Sequence, residues 1–151
     1  MINDALKAKG RLNIVLTGPD GNIKETREVD NLVVDVGRTH IASRMVGTAQ
    51  AVMSHMAIGT SSTAAAAAQT ALTAEVGTRA SLTTYSNSNQ VVTAQATFGT
   101  SNPATSQGIQ EAGIFNAASS GTMLCRTTFS VINKDPADTL TITWTITVNA
   151  P

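Results

Sequence analysis

The stretch DTLTITWTITV, from Asp138 to Val148, has a large apolar residue at every second position. Side chains of an extended chain point to opposite faces with a period of two, so this pattern predicts a strand with one apolar face and one threonine face. Burying five large side chains, at about 1.5 to 3 kcal/mol each, does not by itself exceed the entropy of ordering ten residues, roughly 1 to 2 kcal/mol each. The strand therefore needs a second apolar layer, while its threonine row suits water or a neighbouring subunit equally well. The apolar row is Leu140, Ile142, Trp144, Ile146 and Val148.

Near the start of the chain, the same period predicts a hairpin. RLNIVLT alternates apolar and polar residues, GPDG is a turn signal, and NIKETREV is a charge-bearing partner strand. The next segment has a helical period, with Asp35 near its start and Arg44 near its end, as the helix dipole favours. We expect one helix from Asp35 to Met45, with Gly47 as its stop.

The middle of the chain predicts short strands separated by loops. AVMSHMAI, starting at Ala51, has a two-residue period that Gly59 ends. TSSTAAAAAQTALTAEV favours a loop with at most one helical turn near Thr70 to Glu75, although its consecutive alanines favour helix intrinsically. RASLTTYS and QVVTAQATF flank SNSN as a second hairpin, and GTSNPATSQG is a loop. IQEAGIF and TMLCRTTFSVI are two more strands, and NKDPAD is the last turn. The inner row of the second hairpin is Val92, Ala94, Ala96 and Phe98.

Seven or eight short strands and one short helix indicate an all-β fold, an antiparallel β-sandwich or jelly roll. A chain of 151 residues fits one domain with one ordinary core. We expect residues 1–10 to be an N-terminal arm that contacts a neighbouring subunit, and residues 11–151 to be a single β-sandwich domain.

Composition and charge reduce the number of function classes that fit this chain. The formal net charge is zero, which gives no electrostatic footprint for nucleic acid or an anionic membrane, and no apolar run is long enough to span a bilayer or act as a secretory signal. The lone Cys125 makes no internal disulfide, so we expect synthesis in a cytoplasm. Charged residues are only 13% of the chain, against about 25% in ordinary soluble domains. They are absent from Met45 to Ala74 and from Ala80 to Gln110. This composition indicates either surface that contacts other protein or a low-complexity loop.

Few residues are suited to catalysis. A catalytic site would need a base, a nucleophile and an orienting group close together, and the candidates are His55, Cys125 and either Asp35 or Glu111. No motif supports that arrangement. We therefore expect His55 and His40 to be satisfied structural histidines and Cys125 to be a buried thiol.

No sequence motif supports a metal or ligand site either. No His, Cys or carboxylate pair has zinc-type spacing, PDGNIKE lacks the later ligands of a calcium loop, and GTSST is too short for a phosphate loop. Tyr85 and Trp144 are candidate sugar-stacking residues, but Trp144 lies in the apolar row, which favours core packing. We predict no catalytic, cofactor-binding or metal-binding residues.

Two segments carry a family resemblance. MAIGTSSTAAAAAQTALTAEVGTRASL, from Met56 to Leu82, and EAGIFNAASSGTMLCRTTFSVINKDPADTLTITWTITV, from Glu111 to Val148, resemble small virion structural proteins of tailed bacteriophages. The alanines from Ala64 to Ala68 depart from that pattern, where a proline or glycine is expected.

The resemblance implies a non-enzymatic capsid decoration, or cement, protein. It would be a homotrimer on the capsid exterior that binds the major capsid protein, without nucleic acid or membrane. A tail or tail-fibre component with receptor-binding loops is the nearer alternative, and a small hydrolase or sugar-binding module is the more distant one.

Overall fold

The computed structural model describes residues 6–48 and 50–149, which form two five-stranded sheets and one helix. The strands are β1 (Lys7–Thr17), β2 (Ile23–Asp30), β3 (Leu32–Val33), β4 (His55–Gly59), β5 (Glu75–Ser81), β6 (Thr84–Ser88), β7 (Val91–Phe98), β8 (Gln107–Phe115), β9 (Met123–Lys134) and β10 (Thr139–Asn149). The helix is α1 (Asp35–Met45).

The strand order is β2-β1-β10-β7-β6 in the first sheet and β3-β9-β8-β4-β5 in the second. All pairs are antiparallel, which confirms the predicted all-β sandwich with a single short helix. Antiparallel sheets bury one face of each layer, and the main apolar core lies between the two sheets. No helix in the described part of the chain is long and apolar enough to cross a membrane.

The alternation of the last strand is confirmed. Leu140, Ile142 and Trp144 of β10 are fully buried, and the threonines between them are partly exposed. On the neighbouring strand β7, Ala94, Ala96 and Phe98 are buried as predicted. The second sheet supplies the apolar layer that β10 needs. Only such a facing layer excludes water from these side chains, and each then contributes about 1.5 to 3 kcal/mol to the free energy of folding.

The first hairpin and the helix also form as predicted. β1 pairs with β2 around the GPDG turn, and α1 has the predicted bounds, with Asp35 in its first turn and Arg44 in its last. Gly47 follows the helix at φ +69°, a conformation that favours glycine. Gly37 lies on the carbonyl oxygen of Leu124 so closely that a Cβ would overlap it, which lets the helix approach β9.

Two predicted boundaries were wrong, whereas the loop expected after Gly59 is confirmed and runs without a helical turn until β5 begins at Glu75. The strand expected from Ala51 begins only at His55. RAS, assigned to the second hairpin, lies in β5 of the second sheet, where Ala80 packs against the core. The hairpin instead joins β6 to β7, with SNS of the expected loop inside β6.

The expected N-terminal arm overlaps β1. The strand begins at Lys7, which pairs with Asn149, so residues 7–10 are part of the first sheet. Residues 1–5 lie outside the described residues, and an arm formed by them stays a prediction.

Candidate functional site

The candidate nucleophile and base lie on opposite faces of the second sheet. Cys125 pairs with Ile114, and both belong to the core between the sheets. His55 pairs with Phe115, which belongs to a second apolar cluster on the other face. Its Nδ1 lies 2.8 Å from Ser54 Oγ, and its Nε2 lies 3.4 Å from the hydroxyl of Ser81.

The Cys125 thiol is poorly suited to act as a nucleophile. It is fully buried, and burial raises its pKa well above the ordinary value. Thiolate, the reactive form, is therefore suppressed at neutral pH.

The two candidate carboxylates are also held elsewhere. Asp35 pairs with Arg38 on the first turns of α1. Glu111 pairs with Arg126 under a loop, as described below. The other histidine, His40, is buried on α1 with Nδ1 3.1 Å from Gln50 Oε1. The predicted interpretation of both histidines as structural residues agrees with these contacts.

The candidate ligand-binding residues also lie apart from one another in the structure. Trp144 is fully buried in the core, so it offers no face to a sugar. Tyr85 lies on the edge strand β6 and is 41% exposed. In PDGNIKE, both carboxylate oxygens of Asp20 accept hydrogen bonds from Asn22, which makes a turn, as predicted. Among the described residues, no group of three or more His, Cys, Asp or Glu side chains could hold a metal ion.

The main feature that the sequence analysis missed is a buried ion pair on the outer face of the second sheet. Glu111 of β8 and Arg126 of β9 are both fully buried. Glu111 Oε2 accepts hydrogen bonds from Arg126 Nη2 at 2.7 Å and Nε at 2.9 Å. It also accepts the amide of Thr73 at 3.0 Å, and Oε1 accepts that of Ala74 at 2.7 Å. Each carboxylate oxygen of Glu111 and each side-chain nitrogen of Arg126 therefore has at least one hydrogen-bond partner.

This pair fixes the alanine-rich loop, defined here as residues 60–74. Arg126 Nη2 donates to the carbonyl of Thr63 at 2.9 Å, and its Nη1 donates to Gln69 Oε1 at 3.1 Å. Gln69 in turn accepts the amide of Ala66 at 2.9 Å. The loop is therefore ordered by hydrogen bonds to a sheet rather than by helical propensity. It also covers the second apolar cluster, which consists of Val34, Ala57, Leu72, Phe115 and Met123.

A second polar network closes one end of the sandwich. Asp138, 1% exposed, accepts a hydrogen bond from Lys24 Nζ at 2.8 Å and from the amide of Asp135 at 3.0 Å. The hydrogen bond from Lys24 is the main cause that lowers the pKa of Asp138, and the hydrogen bond from the Asp135 amide lowers it further. Lys134 Nζ donates to the carbonyls of Asp138 at 2.8 Å and Gly99 at 3.1 Å, and burial lowers the pKa of Lys134.

On the outer face of the first sheet, strands β7 and β10 carry an array of hydroxyl and amide side chains. We call this the threonine face and define it by Thr93, Gln95 and Thr97 of β7 and Thr141, Thr143 and Thr145 of β10. These side chains bond to one another sideways: Thr97 Oγ1 lies 3.1 Å from Thr141 Oγ1, and Gln95 Nε2 donates to Thr143 Oγ1 at 2.9 Å. None of these six residues is charged, and the charges of this sheet begin on the neighbouring strand β1, where Arg11 lies opposite Thr145.

Most of the Lys and Arg side chains have a charged or polar partner within the chain. Six of its ten Lys and Arg side chains form ion pairs in the described part of the chain, and Lys134 is buried against carbonyls. Arg79 pairs with Glu75 and also stacks 3.6 Å over the Phe115 ring. Of these ion pairs, only that of Arg126 with Glu111 is fully buried, and pairs such as Arg11–Glu28 stay on the surface.

Comparison of the chain with protein-family models, with curated proteins and with solved structures finds no match.

Proposed function

We propose that this chain is a non-enzymatic decoration, or cement, protein of a tailed-bacteriophage capsid. It would bind the major capsid protein on the outside of the shell, bridge neighbouring capsomers and act as a homotrimer. It would be synthesised in the host cytoplasm and would bind neither nucleic acid nor membrane.

The observation that carries this proposal is one uncharged part of the surface, formed by the threonine face and the edge strand β6. A domain that stays free in solution normally keeps a mixed, charged surface for solubility. Here the threonine face and β6 are uncharged, and the C-terminal end of α1 exposes Met45 and the following Val46 at 80% and 79%. Interfaces are poor in Lys, Glu and Asp relative to the rest of a protein surface, so this composition favours surfaces that contact other protein.

The positions of the two family-like segments add support. The first contains most of β4, the alanine-rich loop and β5, and the second contains the second half of β8, all of β9 and most of β10. They meet where Glu111 and Arg126 of the second segment bond to Thr73 and Thr63 of the first. The resemblance thus covers one continuous part of the fold rather than two unrelated pieces.

The placement of the candidate chemistry favours a structural role over the hydrolase alternative. His55 and Cys125 point to opposite faces of a sheet, and Glu111 is bound to Arg126. A nucleophile and its base need hydrogen-bond distance in a cleft, and this arrangement does not supply it.

The mechanism we propose is additive contact on a lattice. On a symmetric shell, the second and later contacts of one trimer form at a high effective concentration, so each can be weak while the decorated shell resists internal pressure.

A capsid-binding assay tests the proposal. Purified protein is mixed with expanded empty capsids and with unexpanded procapsids of the parent phage, and bound protein is measured after sedimentation. We expect saturable binding to expanded shells at hundreds of copies per particle. Light scattering on the same sample should show a mass of three chains, or of a multiple of three chains where trimers associate. A stable monomer that does not sediment with either particle would reject the assignment.

A tail or tail-fibre protein with receptor-binding loops is the second candidate. The observation that favours it is a groove of about 540 Å³ beside Tyr85, lined partly by Asn87, Asn89 and Gln90. Amide side chains and one exposed aromatic ring are groups that can bind a neutral glycan. Quantitative mass spectrometry of intact particles separates the two, since a fibre is present in few copies and a decoration protein in hundreds.

A further inference from the structure

Three of the four sheet edges carry a feature that opposes pairing with another chain. Natural proteins protect edge strands with charges, bulges or short length. β2 carries five charges within its eight residues, IKETREVD. β5 carries Glu75 and Arg79, and its register with β4 shifts between Met56 and Ile58. β3 is only two residues long.

The fourth edge, β6, has none of these features. Its five residues, TYSNS, are all exposed and include neither a charge nor a proline. It pairs with β7 in an uninterrupted register from Thr84 to Ser88, so no bulge turns it away. Among residues 6–48 and 50–149, no strand lies on its far side. Every second residue of this strand therefore directs its backbone N–H and C=O away from the sheet without a strand partner.

We propose that β6 pairs antiparallel with β6 of a second copy of this chain, with Ser86 on the two-fold axis. In that register Ser86 lies opposite its own counterpart, and Thr84 lies opposite Ser88. Such a two-fold contact uses the same patch on both copies, so the strand must be compatible with itself. β6 meets this condition because no like charges come together in this register.

The side chains beside β6 agree with a partner of this kind. Tyr85, Val92 and Val148 line the groove along the inner side of the strand, next to Leu6, which is 72% exposed. Pairing would place Tyr85 opposite Asn87 of the second copy and reduce the exposure of these apolar groups. The two first sheets would become one ten-stranded sheet, with the two threonine faces on the same side.

This contact goes beyond the proposed function and does not depend on it. A two-fold contact is distinct from the threefold contact of a trimer, and on a capsid it would join neighbouring trimers. If the chain binds no capsid, the contact can still be detected in solution. If it binds capsids as a trimer without this contact, only the present inference fails.

Disulfide trapping tests the register. The directly opposite Cα atoms of an antiparallel pair lie about 4.5 to 5.5 Å apart, within the range of disulfides. We expect Ser86→Cys to form a cross-linked dimer on a non-reducing denaturing gel after mild oxidation, at least tenfold more than Ser88→Cys or Thr26→Cys. Thr26 is an exposed hydroxyl residue on the charged edge β2 and is the matched control. The native Cys125 is buried and does not contribute.

Sedimentation equilibrium provides the second measurement. Ser86→Lys places two like charges opposite each other on the axis, so it should lower the weight-average mass by one association step, while Thr26→Lys leaves the mass at the wild-type value. Circular dichroism confirms that both variants are folded. Cross-linking of Ser86→Cys at the Thr26→Cys level, a maximum at Ser88→Cys, or an unchanged mass for Ser86→Lys would each overturn the proposal.

Discussion

Replacing Arg126 by Met tests the interpretation of the buried ion pair as the fixation point of the alanine-rich loop. The substitution keeps an unbranched side chain but removes the donors to Glu111, Thr63 and Gln69. Glu111 then keeps only the amides of Thr73 and Ala74 as partners. Removing one member of a buried pair typically costs about 3 to 5 kcal/mol, because the remaining charge is buried without compensation.

The measurements are urea unfolding, which gives the free energy of unfolding, and thermal unfolding, which gives Tm, both at pH 7 and followed by circular dichroism. For a chain of this size, 3 to 5 kcal/mol corresponds to a drop of roughly 6 to 20 °C in Tm. Arg11→Met is the control, because its pair with Glu28 joins side chains 63% and 56% exposed and is worth about 0 to 1 kcal/mol. Neutralising the orphaned carboxylate in Arg126→Met with Glu111→Gln should restore part of the loss.

Hydrogen exchange adds a local measurement to the global one. In Arg126→Met, the amides of Thr73 and Ala74 should exchange faster than can be explained by the lower global stability, because the loop loses its anchor. If Arg126→Met lowers the free energy of unfolding no more than Arg11→Met, or if these amides keep their protection, the ion pair does not hold the loop in place. Either result would refute its interpretation as the fixation point.

Two further predictions concern titratable groups. Because the hydrogen bond from Lys24 lowers the folded-state pKa of Asp138 below its ordinary value of 3.8, its stabilising contribution is complete above that value and is lost as the pH falls through the folded-state pKa. Unfolding curves at several pH values should therefore show that the stability gap between wild type and Asp138→Asn is present at pH 7 and shrinks in acid; a gap independent of pH would contradict this. Because burial suppresses the Cys125 thiolate, dithionitrobenzoate should react with it slowly in the folded protein at pH 8 and within seconds in 6 M guanidinium chloride, and equal rates would show that the thiol is accessible.

The elements whose burial is decided locally could be predicted from the sequence. β10 follows from strict alternation, because each of its inner residues meets the same apolar layer. The helix follows from Asp35, Arg44 and Gly47, which act within one or two turns. In both, the residues that determine the structure lie within the element itself.

The features that depend on distant contacts could not be predicted. The amide of Ala74 bonds to a carboxylate 37 residues away, and no local pattern in the loop indicates that partner. The sequence indicates Glu111 only as a candidate orienting group, since an isolated carboxylate in a strand gives no sign that it is buried. RAS was assigned to the wrong sheet because its alternation is equally compatible with either sheet, and only pairing with β4 decides. The absence of charge in β6 was visible in the sequence, but its edge position was not.

The sideways hydrogen bonds of the threonine face have a consequence for how that surface meets water. The hydroxyl groups of Thr141 and Thr143 form hydrogen bonds with Thr97 and Gln95, so part of their hydrogen-bonding capacity is used within the sheet. Their methyl groups form no hydrogen bonds with water. Polar groups that keep their partners lose little when water is removed. A face that is hydrophilic by composition can therefore be dehydrated at small cost, which suits it to a flat partner that needs no matching charges.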